Sequence, residues 1–132
     1  MVDLGGPNAL AELAARPDCS ADTVISVTTL CSMPDLPATI AAAHRVLRPG
    51  GRFLFLEHVP DWPGAGRPLD VVGPAWKRMG GCDPSRDIPQ AVRAGGFNVW
   101  DLDRFTIATV AVPLRSWVAG VGVARGPETE DR

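Results

Sequence analysis

The sequence predicts an α/β fold: a mixed sheet of parallel strands plus an antiparallel C-terminal strand, with helices on the faces. Three observations carry that prediction. A β-branched run, an amphipathic run and a second apolar run follow one another between residues 22 and 57. Gly and Pro, 14 and 13 in number, divide the chain into pieces of helix and strand length. Two later runs, 97–105 and 117–124, read as a terminal strand pair.

The elements follow in order. Leu10, Leu13 and Ala14 stand at helical spacing, so 7–16 is read as a short helix. Asp22 to Thr28 is β-branched, with apolar residues on both faces at its centre, as in a buried strand of a parallel sheet. Asp35 can cap a helix whose first turn holds Pro37 and whose stripe is Leu36, Ile40, Ala43 and Leu47. Pro49-Gly50-Gly51 stops that helix, and Phe53 to Glu57 forms a second buried strand. Strand, helix and strand in this order make a right-handed crossover, so the two strands lie parallel. Residues 60–86 are rich in Pro, Gly and Trp without a period and read as a functional loop. Asp87 followed by Gln90 caps a short helix, Ile88 to Ala94, which ends at Gly95-Gly96. The tail 127–132 is expected to fray.

Composition narrows the function. The 132 residues suffice for one domain, 1–126, and are too few for two ordinary ones. Hydrophobic residues at 45% and charged residues at 21% indicate a globular chain. A net charge of −2 without a basic stripe gives nucleic acid no electrostatic footing. No apolar stretch approaches the ~20 residues a membrane span needs, and Met1 to Leu4 does not open a signal peptide. Cys19, Cys31 and Cys82 are odd in number and irregularly spaced. They fit neither a disulfide framework nor a metal site, and point to a reduced, cytoplasmic setting.

A family resemblance rests on an ordered set of short motifs. Ala11-Glu12-Leu13 through Ser20-Ala21-Asp22 resembles the turn before the fourth strand of small-molecule class I methyltransferases of the type 11 branch. Leu30-Cys31-Ser32-Met33-Pro34-Asp35 is similar to its L-C-S-V-x-D. Arg45-Val46-Leu47-Arg48-Pro49-Gly50-Gly51 is similar to its R-V-L-x-P-G-G, and Phe55-Leu56-Glu57-His58-Val59 to its F-x-E-H-V. Trp76, Gly81-Cys82, Arg86-Asp87, Ala94-Gly95-Gly96-Phe97 and Gly122-Val123-Ala124 follow in the order of the same branch. The resemblance covers roughly residues 9 to 126 and implies an incomplete Rossmann-like sheet.

The resemblance also implies an absence. The family grips its cofactor, S-adenosylmethionine, with a glycine-rich loop after the first strand and an acid ending the second. Val2-Asp3-Leu4-Gly5-Gly6-Pro7 shares residue types with the loop, but too few residues follow for the intervening elements. The cofactor-binding N-terminal half is therefore expected to be missing. Truncation, a partner chain supplying the other half, or a stand-alone module would each explain that, and catalysis by the isolated chain is doubtful.

Site residues are carried over on the same motifs. Ala11 and Glu12 match positions flanking the adenine, against the reading of an exposed helical Glu. Thr28, Thr29 and Leu30 should line the methionine end, against ordinary strand packing. Ligands of open α/β sheets sit outside the carboxyl ends of the strands, which places Thr28–Ser32 beside Glu57–Asp61. His58 ends a strand there and could accept a proton from a hydroxyl, amine or thiol, with Glu57 on the opposite strand face. Either could equally be structural. Trp62, Trp76 and Met79, with Gly80-Gly81-Cys82, form a candidate substrate lid, or else roof a satellite core. Cys31 has no basic neighbour in sequence and reads as packing. Arg86 and Asp87 read as a surface pair around a helix cap.

The expected reaction is methyl transfer to a small, fairly apolar acceptor: a lipid, quinone precursor or thiol. The rival is a non-catalytic module that self-associates or takes a partner chain through an unpaired edge beside Val24 to Val27.

Overall fold

The computed structural model of the chain describes residues 1–5, 8–58, 86–107 and 116–126. Their elements are β1 (Val2–Asp3), α1 (Ala9–Ala15), β2 (Ala21–Val27), a 3₁₀ turn (Leu30–Ser32), α2 (Leu36–Val46) and β3 (Leu47–His58). They are followed by α3 (Ile88–Ala94), β4 (Phe97–Thr106) and β5 (Ser116–Ala124).

Local chemistry places the helix starts. The Asp35 carboxylate accepts from the Ala38 N–H at 3.0 Å, and Asp87 accepts from the Gln90 N–H at 3.1 Å. Each bond satisfies one of the orphan donors of a helix N-terminus. Leu36, Ile40, Ala43 and Leu47, the stripe read from the sequence, are all buried. Arg45 closes the other end of α1, donating to the Leu13 and Arg16 carbonyls and pairing with Asp18.

The sheet has the order β1-β2-β3-β5-β4. β1, β2 and β3 run parallel, and β5 lies antiparallel between β3 and β4. Right-handed crossovers from β1 to β2 and from β2 to β3 step in one direction, so α1 and α2 fall on one face. Leu13, Ile40 and Val92 from α1, α2 and α3 share a single core with Val24, Phe53, Phe97 and Val118. Residues of opposite parity, Ile25, Leu54, Leu56 and Val121, form the other face and are half-buried.

The parallel pair and the antiparallel C-terminal strand agree with the sequence reading. One expectation is corrected. The edge beside Val24 to Val27, taken as open, is occupied by β1 at Val24 and Ile25. Leu4 prolongs that pairing through its N–H to the Ile25 carbonyl at 2.8 Å. Two residues are too few to show a strand period, so β1 is marked only by the residue types that Val2 to Pro7 share with the family's first loop. The remaining long edge, β4, is blunted by a register shift between Val99 and Asp101 and by the charges of Asp101, Asp103 and Arg104.

Candidate functional site at the strand tips

Parallel pairing sends the carboxyl ends of β1, β2 and β3 to the same edge of the sheet. The ladder between β2 and β3 continues to the Thr28 N–H, which donates to the Leu56 carbonyl at 2.9 Å. Thr28 therefore lies beside Leu56, and the Thr29 and Leu30 amides meet the Glu57 carboxyl, one residue before His58. The tip of β1 joins them, one strand over: Asp3 is in register with Ile25, and its carboxylate accepts from the Gly5 N–H at 2.8 Å.

The chain turns sharply after β2. Thr28 has φ 52°, a left-handed conformation that costs a β-branched residue roughly 1–2 kcal/mol. Strain of this kind persists only where the surroundings hold it. Two charged side chains bracket the turn. Glu57, fully buried, accepts at one oxygen from the Ser26 hydroxyl at 2.7 Å and from the Thr29 and Leu30 N–H groups at 3.1 and 3.2 Å. Arg86 donates to the carbonyls of Leu30 and Met33 at 2.8 and 2.6 Å. A carboxylate thus meets the N–H end of the 3₁₀ turn and a guanidinium its C=O end, the arrangement the backbone dipoles favour.

Glu57 and His58 point to opposite faces, as successive strand residues must. Burial pushes the Glu57 carboxyl up from its ordinary value, against the lowering effect of Ser26 and the turn's amides. Burial also lowers the His58 imidazole, whose ring packs edge-on against Trp117 with centroids 5.5 Å apart. At neutral pH His58 is therefore an uncharged imidazole, able to accept a proton.

The two shifts have opposite consequences for stability. Glu57, raised in the folded state, contributes stability that is complete below 4.5 and is lost as pH rises through its folded pKa. His58, lowered in the folded state, contributes stability that is complete above 6.5 and is lost as pH falls through its folded pKa. Between 4.5 and 6.5 the two slopes oppose each other. Thermal midpoints across this window should rise with pH in Glu57→Gln, fall in His58→Gln and change less in the wild type. Parallel curves for all three proteins would contradict both assignments.

Of the other residues singled out in the sequence, Ala11 and Glu12 lie exposed on α1, and no hydrogen bond among the described residues ties them to the strand tips. Thr28 is exposed, Thr29 half-buried and Leu30 buried. Cys31 is buried, its thiol 3.5 Å from the Thr28 carbonyl, in keeping with packing. Trp62, Trp76, Met79, Gly80, Gly81 and Cys82 lie outside the described residues. Arg86, read as half of a surface pair, instead reaches back to the turn after β2. That contact spans more than 50 residues of sequence and leaves no local pattern. Among the described residues, no group of three His, Cys, Asp or Glu is placed to hold a metal ion, and no helix is long and apolar enough to cross a membrane.

Comparison with known proteins gives a consistent result. Residues 8–55 match the family model of a methyltransferase domain. The chain is 34% identical over 105 residues to the human thiol S-methyltransferase TMT1A, an alignment covering 76% of this chain and 40% of that protein. It is 33% identical over 89 residues to rat thiol S-methyltransferase TMT1B, covering 65% and 36%. It thus spans less than half the length of these curated relatives. A solved SAM-dependent methyltransferase from Methanosarcina mazei shares its fold with a TM-score of 0.61 at 14% identity, over 86% of this chain and 63% of that one. By its sequence likeness to the methyltransferase-domain family and to the human relative over 76% of the chain, the chain belongs to the class I methyltransferases, and the solved structure shows the same fold.

Proposed function

We propose that the chain supplies the strand-tip side of a site for S-adenosylmethionine-dependent methyl transfer to a small, fairly apolar acceptor, most specifically a thiol. The observation that carries this reading is that the parallel pairing of β2 and β3 brings the Thr28–Leu30 tip to the same sheet edge as Leu56 and Glu57, the residues that lead into His58. The thiol is favoured over a lipid or quinone precursor because the curated relatives are named for thiol methylation.

The residues fit such a cofactor. Thr28 is exposed and Thr29 half-buried at the tip of β2, their N–H groups and the Thr29 hydroxyl held by Leu56, Glu57 and Val27, so the exposed Thr28 side chain is what faces solvent. The neighbouring imidazole is held uncharged by burial, so it sets no positive charge against a sulfonium. When bound, S-adenosylmethionine supplies a methyl group on a sulfonium, which needs little beyond in-line placement of the nucleophile. In this reading Thr28, Thr29 and Leu30 line its methionine end, and Ala11 and Glu12 lie toward the adenine. His58 takes the proton a thiol loses as its sulfur attacks.

Titration of the purified chain with S-adenosylmethionine by calorimetry should give saturable binding below millimolar ligand. With a small alkyl thiol as acceptor, His58→Gln should lower methyl transfer by about a hundredfold, with cofactor affinity unchanged. Heats no larger than dilution at millimolar ligand would remove the enzymatic role from this chain.

A further inference from the structure

Glu57 stands out as a fully buried carboxyl whose second oxygen, Oε2, has no hydrogen-bond partner among the described residues. Its first oxygen, Oε1, takes the Ser26 hydroxyl and two consecutive backbone amides, those of Thr29 and Leu30. A group placed for proton transfer would need access to a substrate, and this one has none. A group placed to neutralise charge would share its donors between both oxygens. Glu57 instead brings a single oxygen to a single point, where the chain leaves β2 through the strained Thr28.

We propose that Glu57 is a positioning residue: the reach of Oε1 fixes the Thr28–Ser32 turn in the orientation that sets the exposed Thr28 at the strand tips. The proposal rests on the cofactor reading only for what that turn presents. Three donors converging on one oxygen define its position tightly, because each bond weakens steeply with misalignment. Arg86 holds the carbonyls of Leu30 and Met33 from the opposite side. The turn is therefore gripped at both ends, and φ 52° at Thr28 is maintained without a glycine.

Two substitutions separate reach from charge. Glu57→Gln keeps an oxygen at the position of Oε1 and removes the charge. Glu57→Asp keeps the charge and withdraws the oxygen by one methylene. Amide hydrogen exchange of Thr29 and Leu30, read by NMR against Val24 and Phe53 in the adjoining strands, reports the turn separately from the whole fold. Protection of the two turn amides should stay within about threefold of wild type in Glu57→Gln and fall at least about tenfold in Glu57→Asp, as loss of one hydrogen bond implies. The reverse order would show that Glu57 acts by charge and would overturn the proposal. So would turn amides that change no more than Val24 and Phe53.

The same pair of variants titrated with S-adenosylmethionine should keep this order, with affinity nearly intact in Gln and weakened about tenfold in Asp. Equal affinities in the two variants, with wild type binding, would count against positioning of the turn for the ligand. A wild-type protein that binds no cofactor would fell the functional reading, and the exchange experiment would still decide the role of Glu57.

Discussion

Replacing Phe53 by Ala should destabilise the chain by about 3–5 kcal/mol, the range for truncating a fully buried aromatic. Phe53 lies at the middle of β3, paired with Val24 of β2 on one side and Gly122 of β5 on the other. None of its surface is exposed. Its ring packs against Phe55 and Phe97, with centroids 6.0 and 5.3 Å away. Truncation therefore removes apolar contacts from both strand neighbours and from the first residue of β4, and β-sheet backbone cannot collapse to fill the space. A domain of ordinary stability, about 5–15 kcal/mol, loses about a fifth of it or more. Leu56→Ala is the internal control. It lies on the same strand but points to the half-buried face, so it should cost much less. Urea midpoints at constant slope measure both. Equal losses at 53 and 56 would mean that the helix-covered face is not the one that holds the sheet together.

That asymmetry between faces also marks the limit of what the sequence discloses. At the starts of α2 and α3 reading and structure coincide, whereas α2 ends at Val46, before Pro49-Gly50-Gly51, and β3 begins at Leu47 and not at Phe53. Asp35 caps α2 and Asp87 caps α3 through bonds to residues three positions on, and the stripe from Leu36 to Leu47 is buried as its spacing implies. The order of the sheet is a different matter. That β5 inserts between β3 and β4 depends on which faces and edges meet in space, and alternation along a strand carries no record of its neighbour. β1 escapes for a simpler reason, having only two residues. At the candidate site, the adjacency of the two strand tips followed from the crossover rule alone. The partners of Glu57 did not. Ser26 and Leu30 lie 31 and 27 residues away in sequence, and Arg86 lies 56 residues from Leu30. Glu57 and His58 looked like equivalent candidates for proton transfer because they are adjacent. Strand parity sends one into the helix-covered core and the other against Trp117, and burial then shifts each toward its neutral form.

Gly120→Ala should cost about 1–3 kcal/mol, although alanine is the better residue in an ordinary strand. Gly120 lies in the middle of β5, opposite Phe55 on β3 and Leu102 on β4. A Cβ there would stand 2.5 Å from Cζ and 2.9 Å from Cε2 of Phe55, and 3.0 Å from Cδ1 of Leu102. The Phe55 ring occupies the space a side chain would need, and Phe55 is itself buried against Phe53. Relief must come from moving an aromatic packed between two strands, so the conflict spreads into the core. Two opposing effects thus give opposite signs. Backbone entropy alone would make alanine stabilising by about 0.5–1 kcal/mol, and overpacking makes it destabilising. The second should win, because the contact is to ring carbons held on both sides and not to the end of a flexible chain. A double-mutant cycle isolates the cause. Combining Gly120→Ala with Phe55→Leu, which withdraws the ring, should recover part of the loss, with a coupling of about 0.5–3 kcal/mol. Strict additivity would show that the glycine is required for a reason other than the ring that lies across it.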